Sequence, residues 1–588
     1  MLFHRTGAAF FCSIFASLAL LSGGCNNAPD STEAETGTAQ KKKGGETQAE
    51  KCRRKLAAAI RRLDPERLTM QSDPERSISG LNSWIASCAS DQCAALKLSD
   101  EAIKMLNGSP RATGARYSGG DALYIRDAIM MRELHKELSS RGNKKDASAA
   151  DRDVNRILKA FEWVVRNISI QPVDESRPPL GLFAIAMTGR GTAEDRAWAF
   201  AELLRQQQTD AVIVTTEKEA KPEGSVLDTA TWLVAVLQDD TGWLFDMVTG
   251  LPVTDSTDFD PINPVPVSLD TLKEHDRWKD SSASVIAQVA TFSPRMLVLQ
   301  DSLAADDAAV LFEELTGGVS EIRPLVERVV AAGGDLWTSE KLSVWPYPEE
   351  RVIKANSRSE DQQGNYKKTM RFFEAPFERD VFIPESPEEQ TSVPEQMSDE
   401  ERQKFVEQRL MEVYVQVSQS TEKLFGKPSF RLLKARTRQV MGSTETRIIQ
   451  QMQQIRLSSL VQVIPVRVPK EIRELPGNEG MPEVIYRNLP DAIVAVNQSA
   501  TGNSLYWTAL SQIDRGEMGM AISTLKNYRK QYPTGKWKYP SLISHATALL
   551  AEGRKDEARK LLGEANVDEN PEQLRVQRLL KALGDAAE

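Results

Sequence analysis

Apolar residues recur at three- and four-residue spacing along much of the chain, the period of a helix with one buried face. In residues 189–205 the inward stripe is Ala197, Phe200, Ala201 and Leu204. Gly189 and Gly191 before it allow a close backbone approach. Thr192 then stands as an N-cap, with Asp195 three residues on to reach back, so the spacing predicts a buried helix beginning at residue 193. Leu56, Ile60 and Leu63 share a helical face that Pro65 interrupts; Ile78, Leu81, Trp84 and Ile85 form a second stripe, and Tyr124, Ile125, Ile129, Leu134 and Leu138 a third. Residues 51–149 therefore read as a helical region. Residues 267–355 mix short apolar runs, such as 285–287 and 296–299, with polar helical pieces and read as mostly helical with a few strands. Residues 356–400 turn polar and carry Pro376, Pro384, Pro387 and Pro394, which reads as a long linker. Beyond it, helices are expected over 400–424, 432–440, 446–457 and 573–583, within an α-helical region spanning 401–588.

The pattern differs at the N-terminus. His4 and Arg5 precede an apolar run over 8–21, and Ser22-Gly23-Gly24 leads to Cys25. The run is shorter than the roughly 20 residues a membrane span needs. Leu-Ser-Gly-Gly-Cys resembles a bacterial lipoprotein processing site, with its Leu one place further out than usual. The resemblance implies that residues 1–24 are a signal peptide and that Cys25 is lipidated; the plainer reading is an ordinary secretory signal or a short anchor. Residues 25–50 hold no large apolar side chain and read as a disordered tether.

Residues 150–255 resemble the transglutaminase-like branch of the papain-type fold. The family's nucleophile motif reads Gly-x-Cys-x-Asp-x-Ala at a helix start, and Gly191, Asp195 and Ala197 stand at the matching places. The family's strand with a histidine two residues before a Trp matches 230–236, and the strand carrying the orienting Asp matches Gly242-Trp243-Leu244-Phe245-Asp246. Residues 153–168 resemble its leading helix. The nucleophile position holds Ala193 and the histidine position holds Ala230, while Asp246 is present. Thiol acyl transfer needs a thiolate and an imidazole, and residues 151–255 contain neither Cys nor His. The resemblance thus implies a degenerate triad (Ala193, Ala230, Asp246) and no catalysis.

Near the C-terminus, Ala509, Gly516, Ala521 and Leu525 are matched by Ala546, Gly553, Ala558 and Leu562, displaced by 37 residues. Small residues at helix crossings, with Gly ending the first helix, resemble tetratricopeptide repeats, whose usual period is about 34. The resemblance implies a face that binds a peptide or a neighbouring protein.

Composition adds limits. The net charge of −9 over 588 residues is mild, and no basic block interleaves with aromatics, which argues against nucleic-acid binding. Cys88 and Cys93 can pair in an oxidising compartment and leave Cys52 odd; three unpaired cysteines are the alternative. No set of four ligands has zinc-like spacing, so no metal and no cofactor is expected. Glu194 and Asp195 are explained by helix capping. The expectation is an α+β chain, exported to a bacterial cell envelope and lipid-anchored, that binds protein or peptide without catalysis. The alternative is an envelope amidase or hydrolase with Thr192 as substitute nucleophile. In a further reading, only the repeats matter, and a fragment from Glu400 onward would keep all partner binding.

Overall fold

The N-terminal helical stripes form helices α1 (Gln48–Leu63) and α2 (Pro74–Cys88), followed by the longer α3 (Gly119–Ser140). The structure is a computed structural model that describes residues 47–88 except 71, 117–141, 149–171, 177–254 except 208, 217–231 and 239–240, 259–268 except 263, 285–289, 342–377, 397–408 except 406, and 428–584 with short gaps at 461–462, 469 and 475–478. The signal segment, Cys25 and nearly all of the tether lie outside the described residues. So do Cys93 and Ala230.

Cys52 of α1 pairs with Cys88 of α2, at a Cα separation of 5.8 Å. This corrects the expected Cys88–Cys93 pairing. Tertiary packing, not sequence proximity, selects the partner: the apolar faces of the two helices (Leu56 and Leu63; Ile78, Leu81 and Trp84) are buried in one core, and that places their cysteines within bonding reach.

Next come α4 (Ala149–Asn167), strand β1 (Ser169–Ile170), α5 (Leu182–Thr188), β2 (Arg190–Gly191) and α6 (Ala193–Gln206). β1 and β2 run parallel, Ser169 opposite Arg190 and Ile170 opposite Gly191. Both glycines are required here. Gly189 has φ 69°, and a Cβ on Gly191 would lie 2.8 Å from Ile168 Cγ2 and 2.9 Å from Asp195 Cβ.

Strands β3 (Asp210–Thr216), β4 (Trp232–Gln238), β5 (Thr241–Asp246) and β6 (Leu251–Pro252) follow, and β7 (Val285–Val289) and β8 (Leu342–Val344) complete a six-stranded sheet of order β6-β5-β4-β3-β7-β8. All its pairs are antiparallel except β7–β8. The blocks at 230–236 and 242–246 thus fall largely on adjacent strands, and the one at 189–205 on a helix. The sheet continues past residue 255, because the apolar run at 285–287 pairs with β3.

Helices α7 (Tyr347–Asn356) and α8 (Glu360–Met370) come next, and a 3-10 turn runs from Arg371 to Glu374. The start of the expected polar linker is therefore helical, and Tyr366, Met370, Phe372 and Phe373 are buried. A Ser359–Gln362 capping box starts α8, a sequence signal that the polar composition obscured.

The C-terminal part holds α9 (Arg431–Val440), α10 (Thr446–Ser459), a hairpin of β9 (Val463–Arg467) and β10 (Val484–Asn488), and then α11 (Asp491–Asp514), α12 (Met518–Gln531), α13 (Lys538–Ala551), α14 (Lys555–Ala565) and α15 (Gln573–Ala582). Gly516 and Gly553 adopt φ of 75° and 77° between successive helices, and Ala509, Ala521, Ala546 and Ala558 are buried at the crossings. The chain is thus a mixed helix and sheet protein, with helical regions on either side of the sheet region in sequence. One apolar cluster joins Leu56 of α1 to Trp537 before α13. The terminal helices share their core with the sheet region.

Candidate functional site

The site is built from the first turn of α6. Thr192 Oγ1 accepts from the Asp195 backbone N–H at 3.2 Å, and Asp195 Oδ2 accepts from the Thr192 N–H at 3.0 Å. The capping box read from the sequence is therefore closed on itself. Ala193, the first helical residue, is half-buried and packs its methyl group against the core. It offers nothing that attacks a carbonyl or moves a proton.

Asp195 is fully buried and holds three further partners. Tyr347 Oη donates to its Oδ1 at 2.8 Å; Arg177 lies 3.3 Å from Oδ2 and Arg351 3.7 Å from Oδ1. Tyr347 stacks on Trp345 at 5.2 Å and meets Trp198 edge-on at 6.3 Å. Burial and the neighbouring Asp195 charge push the Tyr347 phenol above its usual range, so it stays a neutral donor. Trp345, Tyr347 and Arg351 lie outside residues 150–255, and the sequence around Tyr347, between Pro346 and Pro348, does not mark it for this position.

Asp246 ends β5 and sits opposite Leu233 of β4. It is buried, and its Oδ1 accepts from the backbone N–H groups of Val248 (2.8 Å) and Thr249 (3.2 Å), so it caps its own turn. Burial pushes its carboxyl upward against those hydrogen bonds. Arg196 links the two parts of the site. One helical turn after Ala193, it donates to the carbonyls of Ile168 (2.7 Å), Val165 (3.3 Å) and Met247 (3.3 Å), the last next to Asp246. Its charge is met by Glu572, 376 residues away in sequence.

The Arg196 side chain thus ties the first turn of α6 to the turn after Asp246. The expected histidine position, Ala230, is outside the described residues. Thr192, the candidate substitute nucleophile, spends its hydroxyl on the cap, and the carboxylate beside it is held by two arginines and a tyrosine. A base needs an acceptor within hydrogen-bond reach, and both oxygens of Asp195 already have partners. Of the other histidines, His545 is buried against Arg529, whose guanidinium lies 2.8 Å from Nδ1, and packs the α12–α13 crossing. Among the described residues, no group of three or more His, Cys, Asp or Glu could hold a metal ion, and no helix is long and apolar enough to cross a membrane.

No protein-family model, curated protein or solved structure matches the chain.

Proposed function

We propose that this is an exported, lipid-anchored cell-envelope protein. Its transglutaminase-like region has lost catalysis, and it binds a protein or peptide partner together with tetratricopeptide-like helical hairpins. The observation that supports this best is the α6 terminus: alanine stands where a thiol would be, and the closed Thr192–Asp195 box is locked by Tyr347, Arg177 and Arg351. A helix N-terminus assembled this way stabilises the fold and leaves no reactive group at its tip.

The competing reading, an amidase using Thr192, makes opposite predictions. Thr192→Ala is expected to lower stability by about 1 kcal/mol through loss of the cap, and to leave hydrolysis of peptide and amide substrates at the blank level of the unmodified protein. Turnover by the unmodified protein that Thr192→Ala abolishes would establish the amidase instead. Installing Ala193→Cys with Ala230→His is expected to create a thiol that alkylating reagents modify, a direct probe of whether the inherited cleft is still open.

The shared core bears on the reading in which the repeats act alone. A fragment from Glu400 onward would expose Trp507 and Trp537, which are now fully buried against residues from the rest of the chain. We therefore assign partner binding to the whole folded body. Loss of membrane association in a Cys25→Ala protein, read by fractionation, tests the anchor.

A further inference from the structure

A cavity of about 920 Å³ opens beside the site, bounded by β2, α8, the first turns of α11 and the loop before α13. Its size matches pockets that hold small-molecule ligands, roughly 300–1,000 Å³. Five cations line it: Arg177, Arg190, Lys368, Arg371 and Lys536. No carboxylate lines it among the described residues. The chain as a whole carries 83 acidic against 74 basic side chains, so this is a local reversal of the overall balance.

Of the five, only Arg177 forms an ion pair among the described residues, with Asp195. Arg177 also donates to the Arg190 carbonyl at 3.1 Å, which ties its guanidinium to the backbone of β2. Lys536 lies over the ring faces of Phe372 at 4.7 Å and Trp537 at 5.1 Å, so aromatic faces hold its ammonium at the cavity wall. Its side chain touches the cavity's water while protein surrounds it on most sides. Burial, followed by the Arg190 and Arg436 charges, pushes its pKa down to about 7. Arg190 is likewise pushed downward, by burial and by Arg177. Like charges gathered in a partly desolvated recess raise one another's energy. An anion in the same recess lowers it.

Part of the lining is apolar. Ala492, Ala495 and Val496 of α11 face the cavity, and Phe372 lies beside Lys536. The ligand that fits this lining has several anionic groups and little apolar surface. We propose that this cavity binds a small molecule bearing two or more phosphate or carboxylate groups. The inference goes beyond the binding reading above, since Ala193 does not line the cavity and the proposal is tested by heat and melting, not by turnover.

The probes are tripolyphosphate and citrate, titrated into the full chain by calorimetry at fixed ionic strength, with melting temperature read in parallel. At least one is expected to bind saturably at one site with Kd below about 1 mM and to raise the melting temperature as mass action requires. Preference for tripolyphosphate identifies a phosphate ligand, and preference for citrate a carboxylate one. Lys368, Arg371 and Lys536 are exposed side chains, so Lys368→Gln/Arg371→Gln/Lys536→Gln is expected to fold normally and to bind at least about tenfold more weakly, since charge-assisted contacts are lost. The affinity advantage of the parent over Lys536→Gln is also expected to shrink from pH 6 to pH 8 as Lys536 deprotonates, and comparing the two proteins cancels the titration of the probes themselves. The charged groups facing Lys536 are Arg190 from β2, Arg436 from α9, and Lys368 and Arg371 from α8 and the turn after it, all of them cations. Failure of both probes to bind at about ten times that concentration, or equal binding by the triple variant, overturns the proposal.

Discussion

Glu572→Ala is expected to lower the stability of the folded chain by about 3–5 kcal/mol, the cost of leaving a buried charge without its partner. Arg196 is fully buried, and Glu572 is 4% exposed. Without the carboxylate, the guanidinium keeps only the carbonyls of Ile168, Val165 and Met247. Glu572 also accepts from the Ile170 N–H at 2.8 Å and from Arg575 at 3.2 Å, so α4, β1, α6 and α15 loosen together. Glu572→Gln separates charge from shape: it keeps an acceptor but not the charge, and is expected to lose nearly as much. Burial pushes the Glu572 carboxyl up, but Arg196 and Arg575 more than offset this and hold it below its usual range. Its contribution is therefore present above the unfolded pKa and is lost as pH falls through the folded one. The check is the denaturant midpoint, followed by far- and near-UV dichroism. A loss below about 1 kcal/mol, the range of surface pairs, would mean the pair is not the clamp described here.

Glu202 supplies the second large effect, with the opposite sign in pH. It is 4% exposed; Tyr124 Oη and Trp198 Nε1 both donate to its Oε1 at 3.3 Å. Its Oε2 has no hydrogen-bond partner among the described residues. Burial, reinforced by Asp127 and opposed by Arg205, pushes its pKa up to about 8. A raised folded pKa means that the associated stability is complete below the unfolded value, near 4.5, and is lost as pH rises through 8. Across that window the loss is roughly 3–5 kcal/mol. Glu202→Gln keeps the shape and removes the proton equilibrium. The variant is expected to match the parent near pH 5 and to melt higher than it at pH 8.5. His135 and His545, pushed by burial down to about 4, add a trend of the other sign below pH 6.5, so the informative quantity is the difference between parent and variant. Parallel curves for the two proteins would show that Glu202 is ionised in the fold and paired with Arg205.

Legibility in the sequence followed the range of the forces involved. The α6 helix and its cap were readable because Thr192, Asp195 and the Ala197–Leu204 stripe are local. The same holds for α9, α10 and α15, whose ends fall within two residues of the reading at each terminus. What escaped depends on distant partners. Nothing near Cys52 marks Cys88 as its mate, since helix packing sets that pair. β7 joins the sheet through β3, about 70 residues earlier in the chain. Arg196 lies off the Ala197–Leu204 stripe, yet it is fully buried, its charge met by Glu572. The five-cation cavity gathers side chains from residues 177 to 536, none of which forms a motif on its own.

The reach from Arg196 to Glu572 also governs the order in which the molecule can be completed. During synthesis, α6 emerges with its cation while the neutralising carboxylate is still hundreds of residues away. The Arg196 guanidinium therefore keeps only its carbonyl partners until α15 is in place. Contacts this distant in sequence slow folding.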